Sequence, residues 1–345
     1  MASSLFTILI MILFGSNPVG FGSARLVRGA VAGFGPVGSR MAAAVGPLKT
    51  KFLSAKIALG EKEEDLARLE LPALPNKLPT NENKPSSPQK LTLAGFELPA
   101  QSGAVIDERS GRAIFEKDAD RRMPIASITK LMTALVFLEH NPGWDATYKI
   151  RPEDKREGGR IYLFPGDTVR VRDLFHSSLV ASDNIATLAL AESTGMTEAQ
   201  FVEKMNEKSK AMGLVNTSFK DPIGLNDDNV STAKEIAIFA GQALSDPDIS
   251  GATLMKKYGF QTLEGRKKTV YSTDDLLDIF PQNGVMILGG KTGYTDPAGY
   301  CFVGKFIDHS GHAIISVVLK SSTYKSRFEE THGLVNWIFN NFQWQ

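Results

Sequence analysis

Patterned and unpatterned stretches separate clearly along this chain. Leu5 to Phe14 is an apolar run broken only by Thr7, and no charged side chain appears before Arg25. The run falls short of the ~20 apolar residues that a membrane span needs and suits the core of an export signal. Gly22, Ser23 and Ala24 offer a small-residue cleavage site, whereas Arg25, Arg28 and Arg40 follow the run and no Lys or Arg precedes it. Residues 1–24 are therefore read as an export signal or a retained N-terminal membrane anchor. Residues 25–95 are poor in pattern and carry Pro72, Pro75, Pro79, Pro85 and Pro88, with a short helix expected at Glu61 to Leu71. Such a composition buries too little apolar surface to offset ordering and reads as a linker.

Residues 96–345 read as one folded domain. Ala104 to Asp107 and Ala113 to Lys117 flank Ser110-Gly111 as a hairpin. Helical apolar spacing then runs through Ile128 to Glu139, Val171 to Val180, Ile185 to Ser193, Glu198 to Met212 and Ala233 to Leu244. Strands return at Lys268 to Tyr271, Val285 to Leu288, Tyr300 to Phe306 and Ala313 to Leu319. A final helix, Arg327 to Phe342, turns Leu334, Trp337, Ile338 and Phe342 to one side. Strands at both ends around a helical middle predict an α+β fold in which the terminal elements complete one sheet.

Charge narrows the partners. With 39 basic and 38 acidic side chains the net charge is +1, which offers no field for nucleic acid. Cys301 is the sole cysteine, so no internal disulfide and no multi-cysteine metal site is possible. No motif for a metal or an organic cofactor is present, and none is expected.

The candidate chemistry is that of an activated serine. A hydroxyl is a poor nucleophile without a base, and none of His140, His176, His309, His312 and His332 sits in a catalytic context. The alternative is a lysine one helical turn after the serine, on the same face. Four S-x-x-K sequences occur, beginning at Ser87, Ser127, Ser231 and Ser322. Ser87 lies in the linker, Ser322 precedes only a short run, and Ser231 reads as an N-cap serine. Ser127-Ile128-Thr129-Lys130 is followed 55 residues later by Ser182-Asp183-Asn184, and 109 residues after that by Lys291-Thr292-Gly293. Alone, the second triplet reads as a helix cap and the third as a strand end. In this order they assign a nucleophile, Ser127, and its base, Lys130. Ser182 can relay a proton between either lysine and a leaving amine. Asn184 can bond Lys130 and a substrate carbonyl. Lys291 is expected to open a strand-edge segment that pairs with an extended peptide, and Gly293 to leave room for that peptide's backbone.

The trio is the signature shared by penicillin-binding proteins and class A β-lactamases. The chain from Phe96 onward resembles the D-alanyl-D-alanine carboxypeptidases of the serine peptidase S11 family. The resemblance rests on Pro124 to Ala134, Phe164-Pro165-Gly166-Asp167, Ala181 to Asn184, Ser231-Thr232-Ala233, and Lys291 to Thr295 leading to Ala298-Gly299-Tyr300. It implies a β-lactamase/DD-peptidase fold: an antiparallel sheet flanked by helices, with a helical subdomain. It further implies an acyl-enzyme on Ser127, an oxyanion hole from the Ser127 and Tyr294 N–H groups, and a carboxylate site formed by Thr292 and Arg327. The implied substrate is a peptidoglycan stem peptide ending in D-Ala-D-Ala, with β-lactams as covalent inhibitors and an extracytoplasmic location. Tyr271 to Leu277 departs from the pattern, carrying Asp274 and Asp275 where related sequences usually have Asn.

Three alternatives stand beside this expectation. A DD-endopeptidase of the same family cuts a cross-link instead of releasing free D-Ala. A class A-like β-lactamase requires a carboxylate to activate water, and Asp221 in Asp221-Pro222-Ile223-Gly224-Leu225-Asn226 is the only candidate near the expected place. A non-catalytic peptidoglycan-binding module has no need of Lys130.

Overall fold

The computed structural model describes residues 88–90, 95–156 and 158–344. The apolar N-terminal run and the helix expected at Glu61 to Leu71 lie outside these residues. Five strands form the main sheet: β1 (Ser102–Asp107), β2 (Ala113–Lys117), β3 (Met286–Thr295), β4 (Gly299–Ile307) and β5 (Ala313–Ser321). Their order is β3-β4-β5-β1-β2 with every neighbouring pair antiparallel, so strands from the two ends of the domain share one sheet, as expected.

The helices are α1 (Thr129–Glu139), α2 (Val171–Val180), α3 (Asn184–Glu192), α4 (Glu198–Ala211), α5 (Ala233–Ser245), α6 (Pro247–Thr253) and α7 (Ser326–Asn341). Successive side chains of a strand point to opposite faces, and β5 uses both. Ile315, Val317 and Leu319 join the core built with Ile236 and Phe239 of α5. Ile314 and Val318 join a second core with Phe328, Leu334, Val335 and Ile338 of α7. Burial on both faces explains why Ala313 to Leu319 is a near-continuous apolar run. Each fully buried side chain of this size contributes ~1.5–3 kcal/mol.

Helix α1 lacks a polar stripe because it has no exposed face over most of its length: Thr129 to Phe137 are all buried. It packs among α3, α4 and α5, which fixes its N-terminus against the sheet edge.

Several elements differ from expectation. Pro88–Lys90, within the stretch read as linker, pairs antiparallel with Phe342–Trp344. The folded unit thus starts before Phe96, and α7 ends at Asn341, leaving Phe342 in a strand. The anchor is Trp344, whose Nε1–H donates to Asp107 Oδ1 (2.7 Å) and whose ring stacks on His312 at 4.9 Å. Lys267–Tyr271 belongs to a separate ribbon with Lys257–Gln261, which sequence pattern did not reveal. Helix α6 was also missed, although Asp246 caps it and Pro247 opens it.

Candidate active site

Ser127 sits in a 3₁₀ turn, Ala126–Ile128, that runs into α1. Ala126 has φ 47°, a left-handed conformation that costs a non-glycine residue ~1–2 kcal/mol. The turn is held by the Ile125 N–H bond to Asn229 O (3.0 Å). One helical turn on, Lys130 is fully buried, and its Nζ lies 2.8 Å from Ser127 Oγ, 2.9 Å from Asn184 Oδ1 and 2.8 Å from Ile223 O. An ammonium satisfies all three contacts. A neutral amine keeps two N–H groups and one lone pair, and of the three neighbours only the Ser127 hydroxyl has a proton to give. The lone pair therefore falls to Ser127. Burial lowers the Lys130 pKa to about 7, against the opposing pull of Asp221 and Asp183, so both forms are present near neutrality.

The second triplet enters from the junction of α2 and α3. Asp183 caps α3 by accepting from the Ala186 N–H (2.9 Å), which places Asn184 at the first helical position. Asn184 also donates from Nδ2 to Gly158 O (3.2 Å), so in this structure its amide is already engaged. Ser182 precedes the cap with φ 57°, a second non-glycine residue in the left-handed region. Its Oγ accepts from Lys291 Nζ at 2.9 Å.

Lys291 lies in the middle of β3, five residues into a strand that starts at Met286, and so does not open a segment as expected. Strand β3 is nevertheless at the end of the sheet order, as pairing with an extended peptide requires. Burial holds the Lys291 pKa well below the ordinary lysine value, and Lys130 and Arg327 push it the same way. Thr292 Oγ1 meets Thr273 Oγ1 at 2.6 Å. Gly293 has a different role from the one expected: a Cβ on it would stand 2.8 Å from Ile125 O and 3.3 Å from the Ala126 Cβ. Its missing side chain admits the nucleophile's turn against β3.

Arg327 is in the first turn of α7, where a solvated cation gains nothing from the helix dipole. It is buried instead, donating from Nη1 to Gly293 O (3.3 Å) with its guanidinium over Tyr324 (4.5 Å) and Phe328 (4.6 Å). All nine sequence-derived residues, Ser127, Lys130, Ser182, Asn184, Lys291, Thr292, Gly293, Tyr294 and Arg327, thus fall on the 3₁₀ turn before α1, α1 itself, the α2–α3 junction, β3 and α7.

The rival serines separate cleanly. The cap of α5 is Thr232, not Ser231; Ser231 Oγ meets Thr217 Oγ1 at 2.7 Å, while Lys234 Nζ bridges Glu116 (2.6 Å) and Asp120 (2.8 Å) at the surface. Ser322 is exposed, and Ser87 lies outside the described residues. The loop after Asp221 carries residues that motif reasoning missed. Asp221 accepts from the backbone N–H groups of Ile223 (2.7 Å), Gly224 (2.5 Å) and Asn226 (2.5 Å), and this turn aims Ile223 O at Lys130. Both carboxylate oxygens are thereby engaged by the loop's own backbone, which leaves Asp221 poorly placed to activate water. An Asp followed by Pro and Gly was the available signal for such a turn.

The chain matches the family model described as D-alanyl-D-alanine carboxypeptidase, of peptidase family S11, over residues 84–323. It is 31% identical to the D-alanyl-D-alanine carboxypeptidase DacF of Bacillus subtilis over 255 residues, which is 71% of this chain and 63% of that protein. It is 32% identical to the D-alanyl-D-alanine endopeptidase of Haemophilus influenzae, covering 67% of this chain and 80% of that protein. The crystal structure of the Streptomyces K15 DD-transpeptidase superposes with a TM-score of 0.67 at 27% identity, over 72% of this chain and 100% of that one. The β-lactamase/DD-peptidase fold expected from the motifs is the fold observed.

Proposed function

Because this chain belongs to the S11 peptidase family of D-alanyl-D-alanine carboxypeptidases, we propose that it is a serine D-Ala-D-Ala carboxypeptidase acting through an acyl-enzyme on Ser127. The observation that carries this reading is Lys130 Nζ, buried and 2.8 Å from Ser127 Oγ. The neutral amine takes the hydroxyl proton as Oγ attacks the carbonyl carbon of the penultimate D-Ala. The oxygen that gains charge is met by the N–H groups of Ser127 and Tyr294. Ser182, bonded to Lys291, passes a proton to the amine of the terminal D-Ala as the C–N bond breaks. Water then hydrolyses the ester, and no cofactor is called for.

The terminal carboxylate is met by the Thr292 hydroxyl, with Arg327 supplying positive charge from behind the strand. β-Lactams offer the same serine a strained amide, and the peptidoglycan stem peptide is the natural substrate. The work is then done outside the cytoplasm, after export by the N-terminal segment. Among the described residues no helix is long and apolar enough to cross a membrane.

Endopeptidase action on a cross-link, through the same serine, is the second reading, favoured by the name of the Haemophilus relative; the buried cation beside β3 favours a free carboxylate. Intact-mass spectrometry after benzylpenicillin addition tests the reading. A lasting adduct mapped to Ser127, with release of free D-Ala from a stem pentapeptide, is the expected result. Rapid drug hydrolysis with recovery of the free protein would move the assignment to β-lactamase.

A further inference from the structure

Behind β3 lies a carboxylate that the reaction does not use. Asp274 precedes the short 3₁₀ turn Asp275–Asp278, and its Oδ1 accepts the Leu276 N–H at 2.9 Å. Its Oδ2 is buried and has no hydrogen-bond partner among the described residues. That oxygen faces Gly290, next to Lys291: a Cβ on Gly290 would lie 2.9 Å from it. The Thr273–Thr292 contact (2.6 Å) fastens the same segment to the strand. From α7, Arg327 brings a second buried orphan of opposite sign, its Nε–H, also without a partner among the described residues.

We propose that Asp274 is a positioning residue of the carboxylate subsite, whose ionised form competes for Arg327 and Lys291 and so weakens capture of substrates ending in a free carboxylate. The proposal rests on the carboxypeptidase reading above.

The groups facing Asp274 are Lys291 from β3, Arg327 from α7 and Asp275 on its own segment, with Tyr324 and Cys301 beside Arg327 and Lys130 beside Lys291. Burial raises the Asp274 pKa to about 7; Asp275 adds to the shift, while the Leu276 N–H, Arg327 and Lys291 oppose it. In mildly acid solution the side chain is neutral, and the two cations act on the substrate carboxylate alone. Once ionised, it sets an internal anion against the external one.

The test measures KM against pH for a D-Ala-D-Ala peptide and for the matching peptide whose terminal carboxylate is methylated, in the wild-type protein and in Asp274→Asn. Asn keeps the acceptor for Leu276 N–H. In the wild type, KM for the free-carboxylate peptide relative to the ester should rise about tenfold between about pH 6 and about pH 8.5, and in Asp274→Asn this ratio should stay flat. A ratio that does not rise in the wild type, or that rises equally in both proteins, overturns the role given to Asp274. Turnover by the wild type at about pH 6 establishes the underlying reaction separately.

Discussion

Gly224 lies so close to Ala126 that a Cβ on it would stand 2.0 Å from the Ala126 carbonyl oxygen and 2.9 Å from the Ser127 nitrogen. The loop begun by Asp221 therefore braces the nucleophile's turn from one side, while its Ile223 carbonyl holds Lys130 from another. With φ 90°, Gly224 also occupies a conformation that a side chain resists. Gly224→Ala is expected to cost ~2–4 kcal/mol in denaturant unfolding, and the folded remainder should acylate at least ~100-fold more slowly.

The opposite brace is Gly293. Gly293→Ala forces β3 off Ile125 O and Ala126. Because strand pairing with β4 continues on both sides of this position, the fold should survive. The expected outcome is a drop of ~10²-fold or more in benzylpenicillin acylation with a melting temperature within a few degrees of wild type. A variant that acylates normally would show that β3 and the serine turn are not coupled in this way.

How much of this was legible in the sequence depends on what held each part together. Helices α2 and α5 and strand β5 follow from apolar period, since their faces are buried by regular packing. The three motifs located the reacting groups because that chemistry needs fixed residue types at fixed local spacing. The braces were not legible. Gly224 and Gly293 matter through contacts with Ile125 and Ala126, far from them in sequence, and no period records such an approach. The strand Pro88–Lys90 escaped because its Pro88 and polar neighbours give no alternation; its partner, Phe342–Trp344, is fixed by the Trp344 bond to Asp107. Gly293 was read as space for substrate, when the space is filled by the protein itself.

Asp221 separates two enzyme types. Its carboxylate is spent on three backbone N–H groups of its own loop, so Asp221→Ala should slow acylation by loosening Ile223 O and lower stability by ~2–3 kcal/mol. The decay rate of whatever adduct forms should not fall. A mass-spectrometric chase that finds the adduct selectively lengthened in lifetime would instead make Asp221 a water-activating base.

Asp274 also links stability to pH. Its folded pKa of about 7 stands above the ordinary 3.8, so the folded protein retains a proton that the unfolded chain releases. The stability associated with that proton is full at low pH and is lost as pH climbs from about 4 to about 7. Asp274→Asn should therefore raise unfolding stability by ~1–3 kcal/mol near pH 8, the gain vanishing toward pH 4. Urea titrations at the two pH values check this, and an equal gain at both would mean that the effect is packing rather than ionisation.

Lys130 sets the pH dependence of the chemical step. Its reactive form is the neutral amine, and burial lowers its pKa to about 7. The sign follows: the second-order rate of acylation should rise about tenfold per pH unit below that value and level off above it. Lys130→Arg retains a cation of similar reach but one that does not deprotonate in this range. Its acylation rate should fall by ~10²–10⁴-fold and lose the inflection. Stopped-flow acylation with a chromogenic β-lactam resolves both features. If Lys130→Arg kept the wild-type inflection, the proton would have to leave Ser127 through Ser182 and Lys291, the other buried amine within one hydroxyl of the site.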